Sequence, residues 1–171
     1  RILACYVTGS RANLNAPKDI FQDYDIFYVV NDTQSFIQDK KWILQFGNIW
    51  YMQCPDQNPY YPHNLENIYS WLIQCKDGNC IGLHVESFKH AKQHILDKKM
   101  CKILWNPQRI LPGILESLDA YYHVKKSTQE QFLSTCTEFW WYLNNVAKGL
   151  YRKELPYAND MVNLYARKML E

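Results

Sequence analysis

A chain of 171 residues, 47% of them hydrophobic, can bury one large core or a core with an appendage. Its formal charge is only +2 and its lysines and arginines never run more than two together, which argues against a nucleic-acid groove. No apolar stretch is long enough to span a bilayer and no leader peptide opens the chain, so a soluble cytoplasmic protein with no membrane partner is expected. The six cysteines, Cys5, Cys54, Cys75, Cys80, Cys101 and Cys136, contain no C-x-x-C pair, so buried thiols are expected rather than a zinc ribbon. Aromatic residues make up 15% of the chain, a content that suits a half-polar cleft as well as a large core.

The first apolar run, Ile2 to Val7, reads as a strand that enters a turn at Gly9-Ser10, and a second strand runs from Ile26 to Val30. Before it stand Asp23 and Asp25. Residues two apart on a strand share a face, so the two carboxylates point the same way while Tyr24 points opposite. Paired carboxylates are half of a Mg²⁺ site, because this hard ion takes oxygen ligands and is commonly shared with substrate phosphates. Gly9 allows close backbone approach to an oxyanion, and the Ser10 hydroxyl can hydrogen-bond to it. Taken singly, an Asp-x-Asp also occurs on exposed edges and a Gly-Ser in ordinary turns; the order of the two carries the signal.

That order, in the wording GSRANLNAPKDIFQDYDIFYVVND, resembles the opening of the aminoglycoside 6-adenylyltransferases, streptomycin-modifying members of the superfamily that includes DNA polymerase beta. The resemblance implies an α/β nucleotidyltransferase core with a small mixed sheet, helices on one side, and a following α-helical domain. It implies Mg²⁺ on Asp23 and Asp25, and ATP as donor with its triphosphate at Gly9, Ser10 and Arg11.

Further along, Asn31-Asp32-Thr33 offers a helix cap, and Phe36, Ile37, Trp42, Ile43 and Phe46 recur at helical spacing, predicting one or two short helices. A strand is expected at Ile49 to Cys54 and a proline-containing loop over Pro55 to Asn64. Tyr69 to Cys75 and Cys80 to Glu86 flank Lys76-Asp77-Gly78-Asn79, a strong hairpin signal that would set Cys75 across from Cys80. Ser87 to Leu96 reads as a helix carrying Phe88, Ala91 and Ile95 on one stripe. His90 and His94 fall four apart on it, the spacing of a zinc pair, but no Glu or third ligand follows, so they are read as exposed polar residues. Cys101 to Trp105 is a last short strand, and residues 107 to 126 read as a connector. Ser127 with Glu130 forms a capping-box pattern that opens one long helix; Pro156 ends it, and Tyr157 to Leu170 is a second helical segment.

The resemblance extends over this helical part, domain 127–171 after a core domain 1–126, through Glu138-Phe139-Trp140, Lys148-Gly149-Leu150 and Asp160. It implies that Lys148 contacts phosphate, that Asp160 takes the proton of the acceptor hydroxyl, and that Glu138 is a second acceptor-side acid. The family continues into further helices beyond the position of Glu171, so a truncated helical domain is expected. One departure stands out. Where the family carries a third metal-site carboxylate, this chain has Gly82; His84 and Glu86 share its strand face, at about 6.6 Å per two residues, too far to replace it without backbone movement. The expected activity is transfer of AMP from Mg-ATP to an aminoglycoside hydroxyl, with streptomycin the named acceptor. The alternatives are a nucleotide-binding homologue without catalysis, on account of Gly82, and an enzyme acting on another acceptor, on account of a calculated pI near 8.2 where a polycationic drug favours acidic surroundings.

Overall fold

The computed structural model describes residues 1–60, 67–98, 100–114 and 119–171. They fall into two compact units, Arg1–His123 and Val124–Glu171.

The first unit is built on six strands: β1 (Ile2–Thr8), β2 (Tyr24–Val30), β3 (Ile49–Gln53), β4 (Ile68–Cys75), β5 (Cys80–Ser87) and β6 (Cys101–Trp105). They form one mixed sheet in the order β3-β4-β5-β2-β1-β6. Among the described residues only β2 and β5 pair in parallel; the other pairings are antiparallel. β4 and β5 are the expected hairpin, turning on Gly78 at φ +94°, a conformation that favours glycine. Its register corrects one expectation: Cys80 pairs with Gln74, and its thiol donates to Gln74 Oε1 at 2.7 Å, so it does not face Cys75.

Both faces of the sheet are covered, whereas helices on one side only were expected. On the first face, α1 (Thr33–Gln38), capped by Asp32 accepting from the Gln34 amide, and a 3₁₀ segment (Lys41–Phe46) bring Phe36, Ile37, Trp42 and Phe46 onto Tyr69, Trp71, Ile73 and Val85. The physical reason is aromatic bulk: Trp42 meets Trp71 edge-to-face at 5.4 Å and fills a span that one short helix leaves open. On the second face, α2 (Phe88–Lys98) lays Ala91 and Ile95 against Ala4, Tyr6, Phe27 and Val29. Alternation along the strands divides the two cores; in β4, Tyr69, Trp71, Ile73 and Cys75 are buried while Ile68, Ser70, Leu72 and Gln74 between them are less so. The proline loop is described as far as residue 60 and opens with a 3₁₀ turn at Pro55–Gln57; the connector over 107–126 lies partly outside the described residues.

The second unit consists of α3 (Gln129–Tyr151), α4 (Leu155–Asp160), a π-helical stretch (Met161–Ala166) and a 3₁₀ turn (Arg167–Met169). Its capping box sits one residue beyond the expected place: Thr128 accepts from the Gln131 amide, and the Gln131 side chain returns to the Thr128 amide. Pro156 does not end α3 but stands in the first turn of α4, where its missing N–H costs nothing; the chain turns earlier, through Lys153 at φ +61°. Gly149, the buried glycine of α3, is where α4 comes close. A Cβ there would lie 2.9 Å from Tyr157 Cδ1, 3.1 Å from Ala158 Cβ and 3.2 Å from the Ala158 amide nitrogen. Gly149→Ala is therefore expected to destabilise the helical unit by about 1–3 kcal/mol through overpacking, despite alanine's better helix propensity. Chemical denaturation of parent and variant checks the sign.

Candidate active site

β1 ends in a 3₁₀ turn, Gly9–Arg11, with Gly9 at φ +72°. Arg11 clips the following loop to the start of β2: its Nε donates to the Asp23 carbonyl at 3.0 Å, its Nη2 to the Gln22 carbonyl at 2.8 Å, and its guanidinium lies 3.6 Å from the centre of the Tyr24 ring. The clip fixes the backbone from which Asp23 and Asp25 project. Asp25 stands in register between Thr8 of β1 and Gly82 of β5. Its carboxylate occupies a slot made by two missing side chains: a Cβ on Gly9 would lie 2.7 Å from Oδ2, and a Cβ on Gly82 would lie 2.7 Å from Oδ1.

Asp23 and Asp25 line one cavity of about 240 Å³ together with Gly82, Cys80, Gln74, Gln53 and Tyr51. Burial and the neighbouring Asp23 raise the Cys80 thiol above its ordinary pKa, so it stays protonated at neutral pH. Ser10 and Arg11 instead line a separate hollow with Asn13, Lys18, Tyr24 and Lys102, on the side of β2 that Tyr24 and Ile26 present, opposite Asp25. The structure thus brings Asp23, Asp25 and Gly82 to one cavity, sets Gly9 against Asp25, and gives Ser10 and Arg11 a cationic hollow of their own. Glu138, Lys148 and Asp160 are exposed on the helical unit, where Lys148 donates to Asn145 Oδ1 at 3.4 Å.

His84 is closer to position 82 than strand spacing suggests. Its ring stacks on Phe27 with centroids 4.2 Å apart, shares a 2.9 Å hydrogen bond between Nδ1 and Ser70 Oγ, and leans back so that Nε2 lies 3.2 Å from where a residue-82 Cβ would stand. The space left by the missing side chain is taken by Asp25 from one side and His84 from the other. Glu86 turns elsewhere, into contact with Tyr6 and His90. In sequence, nothing but its place on the same strand face marked His84.

A mixed sheet that presents two carboxylates at the start of a strand, beside a Gly-Ser turn, has the layout of a nucleotidyltransferase core. Residues 1–171 match the family model described as Streptomycin adenylyltransferase, and the chain belongs to that family. It is 34% identical to an aminoglycoside 6-adenylyltransferase of Bacillus subtilis (strain 168), over 99% of this chain and 60% of that protein. It is 36% identical to the enzyme of the same name from Campylobacter jejuni, over 99% of this chain and 59% of the relative, and 32% identical to one from Staphylococcus aureus, over 95% and 58%. The chain spans about three-fifths of the length of these curated relatives. It also aligns with a crystal structure of an aminoglycoside 6-adenyltransferase from Bacillus subtilis, at 29% identity and a TM-score of 0.49, covering 98% of this chain and 58% of that one.

Burial pushes His84 down from its ordinary value of 6.5 to about 4. The unfolded chain therefore binds more protons than the folded one between these values, and stability rises with pH across that window and is fully present above about 6.5. Between pH 7 and pH 5 the parent is expected to lose on the order of 1–2 kcal/mol through this ring. His84→Gln should lack that part of the loss, as read from urea denaturation of both proteins at the two pH values.

Proposed function

We propose that the first unit is a nucleotide-binding core that transfers AMP from Mg-ATP to a hydroxyl of an aminoglycoside, streptomycin being the acceptor to test first. The observation that carries this reading is that Asp23 and Asp25 line one cavity, with glycines at positions 9 and 82 clearing space around the Asp25 carboxylate. Two carboxylates on one strand face fit Mg²⁺, and Asp23 and Asp25 would hold it. When bound, such an ion neutralises charge on the phosphates and orients the reacting oxygens. Ser10 follows Gly9 in the turn beside the Asp25 carboxylate, where its hydroxyl and the turn's backbone N–H groups would meet the phosphates, while Arg11, Lys18 and Lys102 make the hollow on the Tyr24 side of β2 positive. Gly9 permits the close approach, and the clip from Arg11 to residues 22 and 23 keeps the carboxylates aligned. In the helical unit, Lys148 would supply a phosphate contact, Asp160 would accept the proton of the attacking hydroxyl, and Glu138 would pair with a cationic acceptor. The names of the relatives support this acceptor class.

A second reading, a nucleotide-binding protein without catalysis, is favoured by Gly82 alone. Its backbone does not lie in the left-handed region, so an aspartate can be placed there provided the Asp25 carboxylate, the flexible end of a side chain, swings aside and the His84 ring, 3.2 Å from the new Cβ, gives by a few tenths of an ångström.

Two measurements test these readings. Millimolar Mg-ATP should raise the melting temperature of the parent by preferential binding to the folded state, and Asp23→Asn with Asp25→Asn should abolish the shift. Absence of a shift in the parent removes both readings. For catalysis, pyrophosphate release with streptomycin should rise on the order of 10²-fold in a folded Gly82→Asp variant, as expected when a charge-stabilising partner is restored. An ATP-binding variant no faster than the parent shows that position 82 does not limit the reaction.

A further inference from the structure

Two residues beyond His84 on β5, Glu86 has a fully buried side chain. Because α2 starts at Phe88, His90 and His94 fall on successive turns of one helix stripe directly over it. His90 Nδ1–H donates to Glu86 Oε2 at 2.7 Å, and His94 Nδ1 lies 3.5 Å from the same oxygen. The Tyr6 hydroxyl, from β1, donates to the other carboxylate oxygen, Oε1, and accepts from His94 Nδ1–H at 2.8 Å. A carboxylate removed from water is costly unless a positive charge meets it. Among the described residues the ion-pair partners of Glu86 are these two imidazoles, with no lysine or arginine in the group.

We propose that Glu86, His90 and His94 form a binding site for one divalent transition-metal ion of the zinc class, separate from the Asp23–Asp25 cavity. One ligating atom from each residue already lies within 4.8 Å of the others. Ligands about 2.0–2.1 Å from a tetrahedral zinc ion stand roughly 3.3–3.4 Å apart. The His94–Glu86 edge, at 3.5 Å, has that length, and the 2.7 Å edge to His90 is a hydrogen bond that lengthens when the ion takes the proton's place. Two imidazoles and one carboxylate suit zinc and disfavour magnesium, which takes oxygen. Tyr6 holds Oε1 and leaves Oε2 to ligate, an outer contact of the kind that orients metal-binding side chains, and the hydrogen bond from His94 Nδ1 to the Tyr6 hydroxyl is given up when that nitrogen takes the ion. The His90 side chain is 33% exposed, which provides the ion's way in and lets a water complete the tetrahedron. A neutral ring ligating through Nδ1 carries its proton on Nε2 instead, and a ring protonated in the metal-free protein releases one proton to solvent. The bound ion ties α2 to β5.

The test uses the whole 171-residue chain, stripped with a chelator and titrated with ZnCl₂ at neutral pH. One zinc per chain is expected, with a rise in melting temperature. CoCl₂ should give intense visible d–d bands without the near-ultraviolet band of a thiolate ligand. His90→Gln alters the most exposed ligand and should weaken zinc binding by more than about 10-fold. Glu86→Gln preserves shape and should do the same, and if it does not fold His90→Gln decides alone. Asp23→Asn with Asp25→Asn should bind zinc as the parent does, while His90→Gln keeps the Mg-ATP shift, so this site and the nucleotide reading can fail separately. The proposal is overturned by a folded parent that takes up no stoichiometric zinc, by a thiolate band with cobalt, by folded ligand variants of unchanged zinc affinity, or by loss of zinc binding in the double Asp variant.

Discussion

The parallel pairing of β2 with β5 sets everything else in register. It places Asp25 beside Gly82, Phe27 beside His84 and Val29 beside Glu86. Because side chains alternate at every residue, all of these lie on one face of the sheet, and a slip of one position would turn the whole row over. Along that row the character of the surface changes. At the Asp25 end α2 is absent and a cavity opens; at the Val29 end the helix covers the sheet and polar groups are enclosed. The candidate active site is thus the part of the second face that its helix leaves uncovered.

The rings of Tyr6, Phe27 and His84 run across this face as a stack, with centroids 4.9 and 4.2 Å apart and planes within 13° of parallel. His94 meets Phe27 on edge at 4.8 Å. The stack lies between the open and the covered ends of the face and explains why His84 leans toward Gly82: with its ring flat on Phe27 and Nδ1 on Ser70, Nε2 has little choice of direction. The opposite face holds by different means, with Trp42, Trp71, Phe36 and Tyr28 meeting edge-on or tilted in an apolar layer.

Local pattern made much of this readable. Alternating apolar residues between turn signals located all six strands to within about two residues, because strand burial has a period of two. Gly9-Ser10 and Asp23-x-Asp25 located the cavity carboxylates, because their shared face follows from spacing alone. What remained hidden depends on contacts between distant residues. Glu86 and Tyr6, eighty positions apart, meet only through the sheet, and the third partner of His90 and His94 lay four residues before the first of them rather than after. Ser127 and Thr128 both head a plausible capping box in STQEQ, and the choice between them rests on the backbone angles of one residue. The lean of His84 needs Phe27 and Ser70 in place, and neither is near it in sequence.

The β2–β5 pairing also orders events in time. Residue 24 pairs with residue 81, and β3 and β4 lie in the chain between them. Closing so long a loop costs entropy before any contact repays it, and non-local pairings of this kind slow folding. A nascent chain that has emerged only through β4 carries both aspartates and the Gly-Ser turn but has no slot for the Asp25 carboxylate, because Gly82 is not yet there. The site assembles in the same cooperative step that closes the sheet, and no early, partly folded chain possesses it.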